Sequence, residues 1–307
     1  MDNQKCHCGK EGVVFLHYAN KSLCERDFIR MFDKRFRKTV RKSSMVKRGD
    51  RIAVGLSGGK DSTVLLHSLA SLRNKLPFEI VAITIDEGIA NYREKTLKFA
   101  KEECKKLDVE HVVYSYKKEV GKTLDTIMSE RTDDIPCSHC GVMRRYLLNK
   151  GAKESGANKL AVGHNLDDIA QTVLMNIMRN EPSRLARLSE PLVQDNKFVS
   201  RIKPLMLTPE KEVAIYALLK GLELDGLECP YARFAFRAHV RRMVNETEEK
   251  YPGTKFKIVN SFLEMEQALR KHYPHQELAS CSSCGEPSSD KICMFCQKVN
   301  LVRSKSE

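Results

Sequence analysis

The sequence predicts an α/β fold, a doubly wound parallel sheet with helices on both faces and a small zinc-binding module at each end. Short β-branched runs alternate with amphipathic helical segments through the middle of the chain. The run EIVAITID is almost wholly apolar, which is typical of a parallel strand buried on both faces. A Gly-rich turn joins the first strand directly to its helix.

The predicted elements follow one another in a regular order. The strand RIAVGLS leads to the helix DSTVLLHSLASLRNKL, and EIVAITID leads to YREKTLKFAKEECKKL. EHVVYSY precedes the helix CGVMRRYLLNKGAKESG, KLAVGHN precedes LDDIAQTVLMNIMRN, and RIKPL precedes PEKEVAIYALLKGL. The resulting division is an N-terminal zinc-knuckle-like module (1–29), a basic helix and linker (30–48), a catalytic domain (49–222), an Arg-rich helical segment (223–275) and a C-terminal zinc ribbon (276–307).

Composition narrows the class of protein. The 307 residues carry 53 Lys and Arg against 40 Asp and Glu, a formal charge of +13, which favours a polyanionic partner such as nucleic acid. MDNQKCHCGK lacks the apolar core of a signal peptide, and no apolar run approaches the ~20 residues of a membrane helix. We therefore expect a cytoplasmic protein without a membrane partner. In a reducing compartment its 11 cysteines are expected to bind metal or do chemistry; only Cys104 stands apart and is predicted to be structural.

A phosphate-binding loop is the strongest local motif. It comprises Ser57, Gly58, Gly59, Lys60, Asp61 and Ser62, directly between a strand and a helix. The glycines allow close approach of backbone N–H groups to a phosphate, and the helix N-terminus favours negative charge. A tight, well-capped turn is the competing structural explanation. The motif is neither a Walker A loop nor a GxGxxG turn; it resembles the PP-loop of the ATP pyrophosphatases.

That resemblance implies that ATP is cleaved between its α- and β-phosphates and that the substrate is adenylylated. It places adenosine near Asp86 and puts Gly163, Asp167 and Asp168 on the opposite lip of the site. A pair of carboxylates beside the triphosphate suits Mg²⁺. Helix N-capping also favours acids at residues 167 and 168, and the two roles are compatible.

Three central cysteines offer a second site. Cys137 and Cys140 form a CxxC at the start of a predicted helix, where the helix dipole, Arg144 and Arg145 are expected to stabilise a thiolate. Cys229 follows far along the chain. From the residues alone, the trio could bind zinc with His139, carry a persulfide, or provide three ligands of an iron–sulfur cluster.

The motifs SGGKDS, IDEGIANY, CSHCGVMRRYLLN, GHNLDDIAQT and ECPYARFAFRAHVR occur in the order seen in tRNA 2-thiouridine synthetases. The resemblance covers nearly the whole chain. It implies ATP-dependent thiolation of uridine in tRNA and a [4Fe-4S] cluster on Cys137, Cys140 and Cys229, with one iron free to bind sulfide. One departure is Arg144, where these enzymes usually have Lys; the charge remains, but a role that needs a deprotonatable amine does not.

The resemblance also implies roles and partners. It makes Asp61 and Asp168 catalytic together with the three cysteines, and Arg144 part of the cofactor site. The modified uridine is expected at wobble position 34, with position 54 as the alternative. Free sulfide or the thiocarboxylate of a ubiquitin-like protein would donate the sulfur, and a homodimer is a further candidate assembly. Persulfide transfer, a PP-loop tRNA ligase without sulfur chemistry and a nonenzymatic RNA-binding zinc ribbon are the alternatives.

The two ends of the chain carry further cysteines. Cys281, Cys284, Cys293 and Cys296 have the CxxC-x8-CxxC spacing of a structural zinc site. The N-terminal pattern is less regular, because Cys6 and Cys8 are one residue too close and Asp27 stands where Cys or His is expected. Cys8 and Cys24 are its safest ligands, completed by Cys6 or His7 and by Asp27; weak or absent metal binding is the alternative.

Two basic regions are candidates for contact with tRNA. Residues 30–48 contain nine Lys or Arg and form a predicted basic helix and linker. Arg233, Arg237 and Arg241 recur every four residues, which places them on one face of a helix. A solvated surface helix is the competing explanation for both.

Overall fold

A computed structural model describes residues 5–131, 135–188, 198–222, 229–231, 236–274 and 278–303. Its centre is a five-stranded sheet in the order β5-β4-β3-β6-β7, in which every pair of neighbours is parallel. The order reverses between β3 and β6, which makes this the topological switch point where α/β proteins bind ligands. The predicted α/β fold is confirmed. The strands are β3 (Arg51–Gly55), β4 (Glu79–Asp86), β5 (Glu110–Ser115), β6 (Lys159–Ala161) and β7 (Ser200–Ile202).

Alternate residues of the central strands enter two different cores. Ile52 and Val54 of β3 face one hydrophobic cluster, whereas Ala53 between them faces the other. On β4, Ile80 and Ala82 join the first cluster and Val81 and Ile83 the second. Because successive side chains of a strand point to opposite faces, an apolar run of this kind requires helices on both sides.

The helices supply those two layers. In the described parts of the chain, none is long and apolar enough to span a membrane. The helices are α1 (Glu25–Lys42), α2 (Lys60–Arg73), α3 (Arg93–Lys106), α4 (Tyr116–Glu119), α5 (Leu124–Glu130), α6 (Pro136–Glu154), α7 (Leu166–Met178), α8 (Pro182–Leu185), α9 (Glu210–Leu219), α10 (Phe236–Lys250), α11 (Thr254–His272) and α12 (Met294–Arg303).

The N-terminal module packs onto the first core. It consists of the antiparallel pair β1 (Val14–Leu16) and β2 (Lys21–Leu23), followed at once by α1. Buried Phe28, Phe32 and Phe36 line one face of α1, and the Phe32 ring stacks on Tyr216 of α9 with centroids 3.8 Å apart. The predicted boundary between residues 29 and 30 therefore lies inside a continuous helix, and the division into domains stays a prediction.

The C-terminal module packs onto the second core, on the other face of the sheet. It contains the strand pair β8 (Ala279–Ser280) and β9 (Pro287–Ser288), and α12. The Phe295 ring stacks on Tyr146 of α6 with centroids 3.6 Å apart, and Lys153 Nζ lies 2.7 Å from Glu286 Oε1. One helix, α6, thus carries the CxxC motif in its first turns and contacts the C-terminal module further along.

Candidate active site

The predicted site residues converge on the carboxyl edge of the sheet at its switch point. The PP-loop follows β3, and the segment from Gly163 to Asn165 follows the neighbouring strand β6. A Cβ atom on Gly163 would lie 3.0 Å from the Asp61 carbonyl carbon and 3.1 Å from the Ser62 nitrogen. Glycine is therefore needed at residue 163 because the two segments approach closely.

The PP-loop is closed by its own two hydroxyl groups. Ser62 Oγ accepts a hydrogen bond from Ser57 N at 3.1 Å and donates to Gly59 O at 2.9 Å. Gly58 has φ +86°, and a Cβ there would lie 2.6 Å from Thr96 O, so a larger residue is excluded. Gly59 precedes α2, whose N-terminus has no side-chain cap. The first N–H groups of α2 are consequently available to an anion.

Arg93 was not predicted from the sequence as a site residue, but its side chain holds this loop in place through hydrogen bonds to backbone oxygens. Its side chain is 4% exposed; Nη1 donates to Ser57 O at 2.7 Å, and Nη2 donates to Ile85 O. Its Nε lies 3.0 Å from Oε2 of Glu87, which is also buried. The ends of β3 and β4 are therefore held by one guanidinium group. In the sequence, the only indication of this role was that Arg93 directly follows the motif IDEGIANY, which begins at the end of β4.

A network of charges covers the first turn of α2. Lys60 Nζ lies 3.0 Å from Asp61 Oδ2 and 2.7 Å from Glu210 Oε1, while Asn165 Nδ2 donates to Asp61 Oδ1 at 3.0 Å. Arg241 Nη2 donates to both carboxylate oxygens of Glu210, at 2.7 and 2.6 Å. Glu210, another residue missed from the sequence, thus occupies two cations that a triphosphate would attract.

The structure separates the predicted carboxylate pair. Asp167 is buried; its Oδ1 pairs with Lys255, and its Oδ2 accepts a hydrogen bond from Glu210 N at 2.8 Å. Asp168 forms a capping box with Asn165, and burial raises its pKa to about 6. The N-capping interpretation is confirmed for Asp168. The expectation that the two carboxylates jointly face the triphosphate does not fit this geometry, because Asp167 is turned into a structural ion pair.

Asp86 closes the other side of the site. It is the last residue of β4, and its Oδ1 accepts a hydrogen bond from Gly88 N at 2.9 Å. Gly88 has φ +68°, and a Cβ there would lie 2.6 Å from Thr123 Cγ2, so this turn is tightly packed against the start of α5. Asp86 is therefore fixed at the strand end where the PP-loop resemblance places adenosine.

Two of the three central cysteines lie near the same edge of the sheet, because Cys140 and Cys229 pack against the second core together with Ile89 and Tyr92, which follow β4. As predicted, the CxxC begins a helix, because Pro136 is the first residue of α6. Tyr116 OH donates to Cys140 O at 3.0 Å and lies 3.7 Å from Cys140 Sγ, and Cys137 Sγ lies 3.8 Å from Tyr231 O, two residues beyond Cys229. Unlike the terminal cysteine groups, the three thiols do not all lie within 4.8 Å of one another.

The expectation of a stabilised thiolate in the CxxC does not hold for Cys140. Burial raises the pKa of the Cys140 thiol, an effect that the positive charge of Arg144 only partly opposes. Burial likewise raises the pKa of Cys229. The helix terminus and the arginine are both present, but desolvation of a thiol inside the cleft outweighs them.

The terminal cysteines form two compact groups, each within 4.8 Å, as a single ion requires. Four ligands held tetrahedrally at ~2.3 Å from one ion lie about 3.8 Å apart. Cys284 Sγ and Cys293 Sγ are 3.6 Å apart, as are Cys8 Sγ and Cys24 Sγ, and Cys6 Sγ lies 3.4 Å from Asp27 Oδ2. The structure therefore brings Asp27 into the N-terminal group, and backbone N–H groups, that of Cys293 first, lower the pKa of Cys281 to about 6.

The two basic regions differ. The outer face of α1 presents exposed cations, whereas Arg237 points inward and donates to Asp168 O and Gln171 Oε1 on α7. Arg241 is bound to Glu210, and Arg233 lies outside the described residues. The expected phosphate-tracking face of the Arg-rich helix is thus not supported. The exposed cations of α1 are Arg26, Arg30, Lys34, Arg37, Lys38, Arg41 and Lys42.

Comparison with known proteins identifies this arrangement. The family model of the PP-loop domain matches residues 28–248. The tRNA-5-methyluridine(54) 2-sulfurtransferase of Pyrococcus horikoshii is 37% identical over 300 residues, which cover 97% of this chain and 94% of that protein. The chain belongs to the PP-loop family of tRNA 2-thiolation proteins. Cytoplasmic tRNA 2-thiolation protein 1 of Drosophila melanogaster is 35% identical over 297 residues. The match covers 95% of this chain and 85% of that protein.

A solved member of this PP-loop thiolation family shares the whole fold. The U34-tRNA thiolase NcsA from Methanococcus maripaludis, solved with its [4Fe-4S] cluster, superimposes with a TM-score of 0.83 and 33% identity. The match covers 98% of this chain and 97% of that one, so it includes both terminal modules. The family resemblance expected from the sequence motifs is confirmed, and so is the PP-loop fold.

Proposed function

We propose that this chain is an ATP-dependent tRNA-uridine 2-sulfurtransferase. The observation that carries the proposal is that a phosphate-binding loop and a group of cysteines lie near the same edge of the sheet. The PP-loop, with its uncapped helix N-terminus, follows β3, and Cys140 and Cys229 pack beside the segment that follows the neighbouring strand β4. A PP-loop ligase would use the first without the second, and an RNA-binding zinc ribbon would use neither.

Activation of the uridine falls to the PP-loop side. The N-terminal N–H groups of α2, the two loop hydroxyls and Lys60 would bind the ATP phosphates, with adenosine near Asp86. The C2 oxygen of uridine attacks the α-phosphate, pyrophosphate leaves, and a poor leaving group becomes a good one. Asp168, with Asp61 beside it, would hold the accompanying Mg²⁺, while Asp167 would maintain the loop through Lys255.

The cysteine side supplies the sulfur. We propose that Cys137, Cys140 and Cys229 hold a [4Fe-4S] cluster, because the similar U34-tRNA thiolase from Methanococcus maripaludis was solved with such a cluster and because these three thiols are not gathered within 4.8 Å as the terminal groups are. When bound, the cluster would supply an iron site for the sulfide that replaces the C2 oxygen, with release of AMP. Arg144 is close enough to Cys140, Glu87 and Cys229 to interact with them electrostatically, and its charge would support the anions of the reaction.

The terminal groups would each hold a structural Zn²⁺. Four thiols at residues 281, 284, 293 and 296 make one set, and Cys6, Cys8, Cys24 and Asp27 make the other. Carboxylates are ordinary zinc ligands, so the presence of Asp27 in place of Cys or His is compatible with a zinc site. His7 Nε2 lies 3.8 Å from Asp27 Oδ2 and would orient that carboxylate.

The test is to purify the protein without oxygen and to measure iron, acid-labile sulfide, the broad absorbance near roughly 400 nm and 2-thiouridine in tRNA. Cys137→Ala, Cys140→Ala and Cys229→Ala should each lose iron and activity, while Cys104→Ala, a buried cysteine of α3, should keep both. Asp61→Ala should abolish ATP-dependent pyrophosphate release and thiolation while tRNA still binds. Full activity in iron-free, zinc-loaded protein would revive the persulfide alternative.

The same assay settles finer points. Mass mapping of the thiolated nucleotide separates uridine 34, which we propose from the whole-chain likeness to a U34 thiolase, from position 54, which the relative from Pyrococcus favours. Free sulfide and a ubiquitin-like thiocarboxylate protein can be compared as donors. We place the enzyme in the cytoplasm, in keeping with the name of the Drosophila relative, and a homodimer can be checked by light scattering.

A further inference from the structure

Four cationic side chains lie near β7. Of these, only Arg144 has a role in the proposed function, through its charge. Arg201 lies on β7 and Lys203 directly follows it, so both flank Ile202 on the same side of the strand. Arg201 Nη2 donates to Arg145 O at 3.0 Å, which ties β7 to α6 at the residue next to Arg144. We name Arg144, Arg145, Arg201 and Lys203 the β7 cluster.

The β7 cluster adjoins the reacting groups without belonging to the PP-loop. Val162 N donates to Ile202 O at 3.0 Å, so the end of β7 lies beside the β6 segment that carries Gly163 and His164. Arg144 and Arg201 are close enough to His164 to lower its pKa, after the larger effects of burial and Lys203. The cluster therefore lies one strand beyond the switch point, next to His164 and, through Arg144, close to Cys140 and Cys229.

Within the described parts of the chain, this cluster forms no ion pair with a carboxylate. No carboxylate there lies within 4 Å of its four side chains. The two carboxylates that influence it are engaged elsewhere: Glu87 lies 3.0 Å from Arg93, and Glu266 lies 2.7 Å from Arg270. Arg201 and Lys203 donate to the carbonyl oxygens of Arg145 and Leu188, which bear no full charge.

This concentration of like charge is costly in the free protein. Burial, and then Arg145, lower the pKa of Arg201 to about 10, and burial, and then Arg201, lower that of Lys203 to about 8. An anion bound among them would reverse both effects, because it favours the protonated forms. The cluster is thus better suited to holding a phosphate than to stabilising the fold.

We propose that the β7 cluster binds a phosphodiester of the tRNA backbone directly next to the uridine that is modified. The proposal rests on the proposed function and specifies how its substrate is held. The ATP phosphates have their own site at the helix N-terminus of α2, two strands away in the sheet order. For its C2 atom to lie between ATP and the cysteines, the uridine must leave the base stack of the tRNA. Its flanking phosphates would then enter the active site together with the base.

The test compares Arg201→Gln and Lys203→Gln with the matched control Lys101→Gln/Lys105→Gln. The control cations are exposed on the second half of α3, which returns to the opposite edge of the sheet. Binding is measured without ATP, for the tRNA and for the same tRNA with a neutral methylphosphonate on either side of the modified uridine. Each β7 variant should bind tRNA about 10-fold more weakly and lower the slope of log affinity against log salt by about 0.7.

The neutral linkage identifies the ligand. In the wild-type protein one methylphosphonate position should cost about as much affinity as Lys203→Gln, and the two changes combined should cost little more. Additive losses, or no loss from either neutral linkage, would overturn the proposal. A raised KM for ATP with unchanged tRNA binding would assign the cluster to ATP instead.

Failure of this inference is distinguishable from failure of the proposed function. If the cluster does not bind the flanking phosphate, wild-type protein still thiolates tRNA and the three cysteines still bind iron. If the proposed function is wrong, no 2-thiouridine forms at all, whatever the state of Arg201 and Lys203. Thermal melting of the two variants, expected to match the wild type within a few degrees, separates loss of binding from loss of fold.

Discussion

At the scale of single residues, the active site depends on arginines that perform different tasks. Arg93 is almost fully buried and donates to the backbone oxygens of Ser57 and Ile85 and to Thr96 Oγ1. Arg144 is close enough to Cys140 and Cys229 to interact with them electrostatically, and Arg201 connects β7 to the Arg145 carbonyl group of α6. A guanidinium group has five donors in a rigid plane, so lysine does not replace it where several acceptors must be held at once.

Arg93 is predicted to set the affinity for ATP. Arg93→Met and Arg93→Lys each remove a charge-assisted hydrogen bond to Ser57 O or Ile85 O, worth about 1.5–3 kcal/mol, so the KM for ATP should rise roughly 10- to 100-fold. Iron content should not change. Arg73→Met is the control, because Arg73 also donates to a carbonyl group, that of Leu107, but at the far end of α2. An unchanged KM in both Arg93 variants contradicts the prediction.

Lys203 is predicted to make tRNA binding depend on pH. Burial and Arg201 lower its pKa to about 8, Glu266 of α11 opposes them, and His164 lies nearby. The cation is therefore present below pH 8 and lost as the pH rises through that value, so affinity for tRNA should fall between pH 7 and 9. In the Lys203→Arg variant the side chain stays charged, so its tRNA affinity should fall less between pH 7 and 9 than that of the wild type. If the two proteins show the same pH dependence, Lys203 is not its source.

The sequence was sufficient for residues whose role follows from a local motif. The PP-loop, the CxxC at a helix start and the four C-terminal thiols were each predicted from contiguous patterns. Glu210, Arg93 and the separation of Asp167 from Asp168 were not, because each depends on a partner distant in sequence, such as Lys60, Ser57 or Lys255. The direction of the pKa shift of the Cys140 thiol was misjudged for the same reason, since burial cannot be read from neighbours in sequence.

At the scale of elements, α1 has two faces with different functions. Its apolar face is inserted between α2 and α9, where Arg35 Nη1 lies 2.6 Å from Glu212 Oε2 and Tyr18 OH donates to the same carboxylate. Its outer face carries the exposed cations. The sequence predicted the basic character but not the phenylalanine face, because the basic residues obscure the helical period that Phe28, Phe32 and Phe36 follow.

The two faces of α1 are expected to respond oppositely to substitution. Arg37→Glu, Lys38→Glu and Arg41→Glu together should weaken tRNA binding and reduce its salt slope by about 0.9 for each phosphate that these cations neutralise, with little change in melting temperature. Phe36→Ala should instead destabilise the fold by about 3–5 kcal/mol. Unchanged salt dependence in the triple variant would remove α1 from the tRNA interface.

At the scale of the whole molecule, the two terminal modules brace opposite faces of the sheet. Cys6 and Cys24 belong to the first core cluster, whereas Val299 and Val302 of α12 belong to the second. Each module therefore completes a core that the catalytic segment leaves open. This was not predictable from spacing, because the cysteine patterns specify a local site but not the surface against which it packs.

Zinc is therefore predicted to stabilise the chain at two independent places. Asp27→Ala should lose one zinc per chain and Cys281→Ala the other, and each should lower the free energy of unfolding. Because the sites lie on opposite faces, the two losses should add within about 0.5 kcal/mol in the double variant. Metal analysis and denaturant titration check this; strong non-additivity, or retention of both ions in the Asp27 variant, contradicts it.

The packing of α1 also has a consequence for synthesis on the ribosome. Arg35 and its partner Glu212 are 177 residues apart in the chain, so at about 5–20 residues per second the helix emerges roughly 10 to 35 s before α9 exists to cover it. During that interval its phenylalanine face has no native partner on α9. The nascent chain must therefore keep an aggregation-prone surface soluble, and the dense positive charge on the opposite face of the same helix is suited to that task through mutual repulsion.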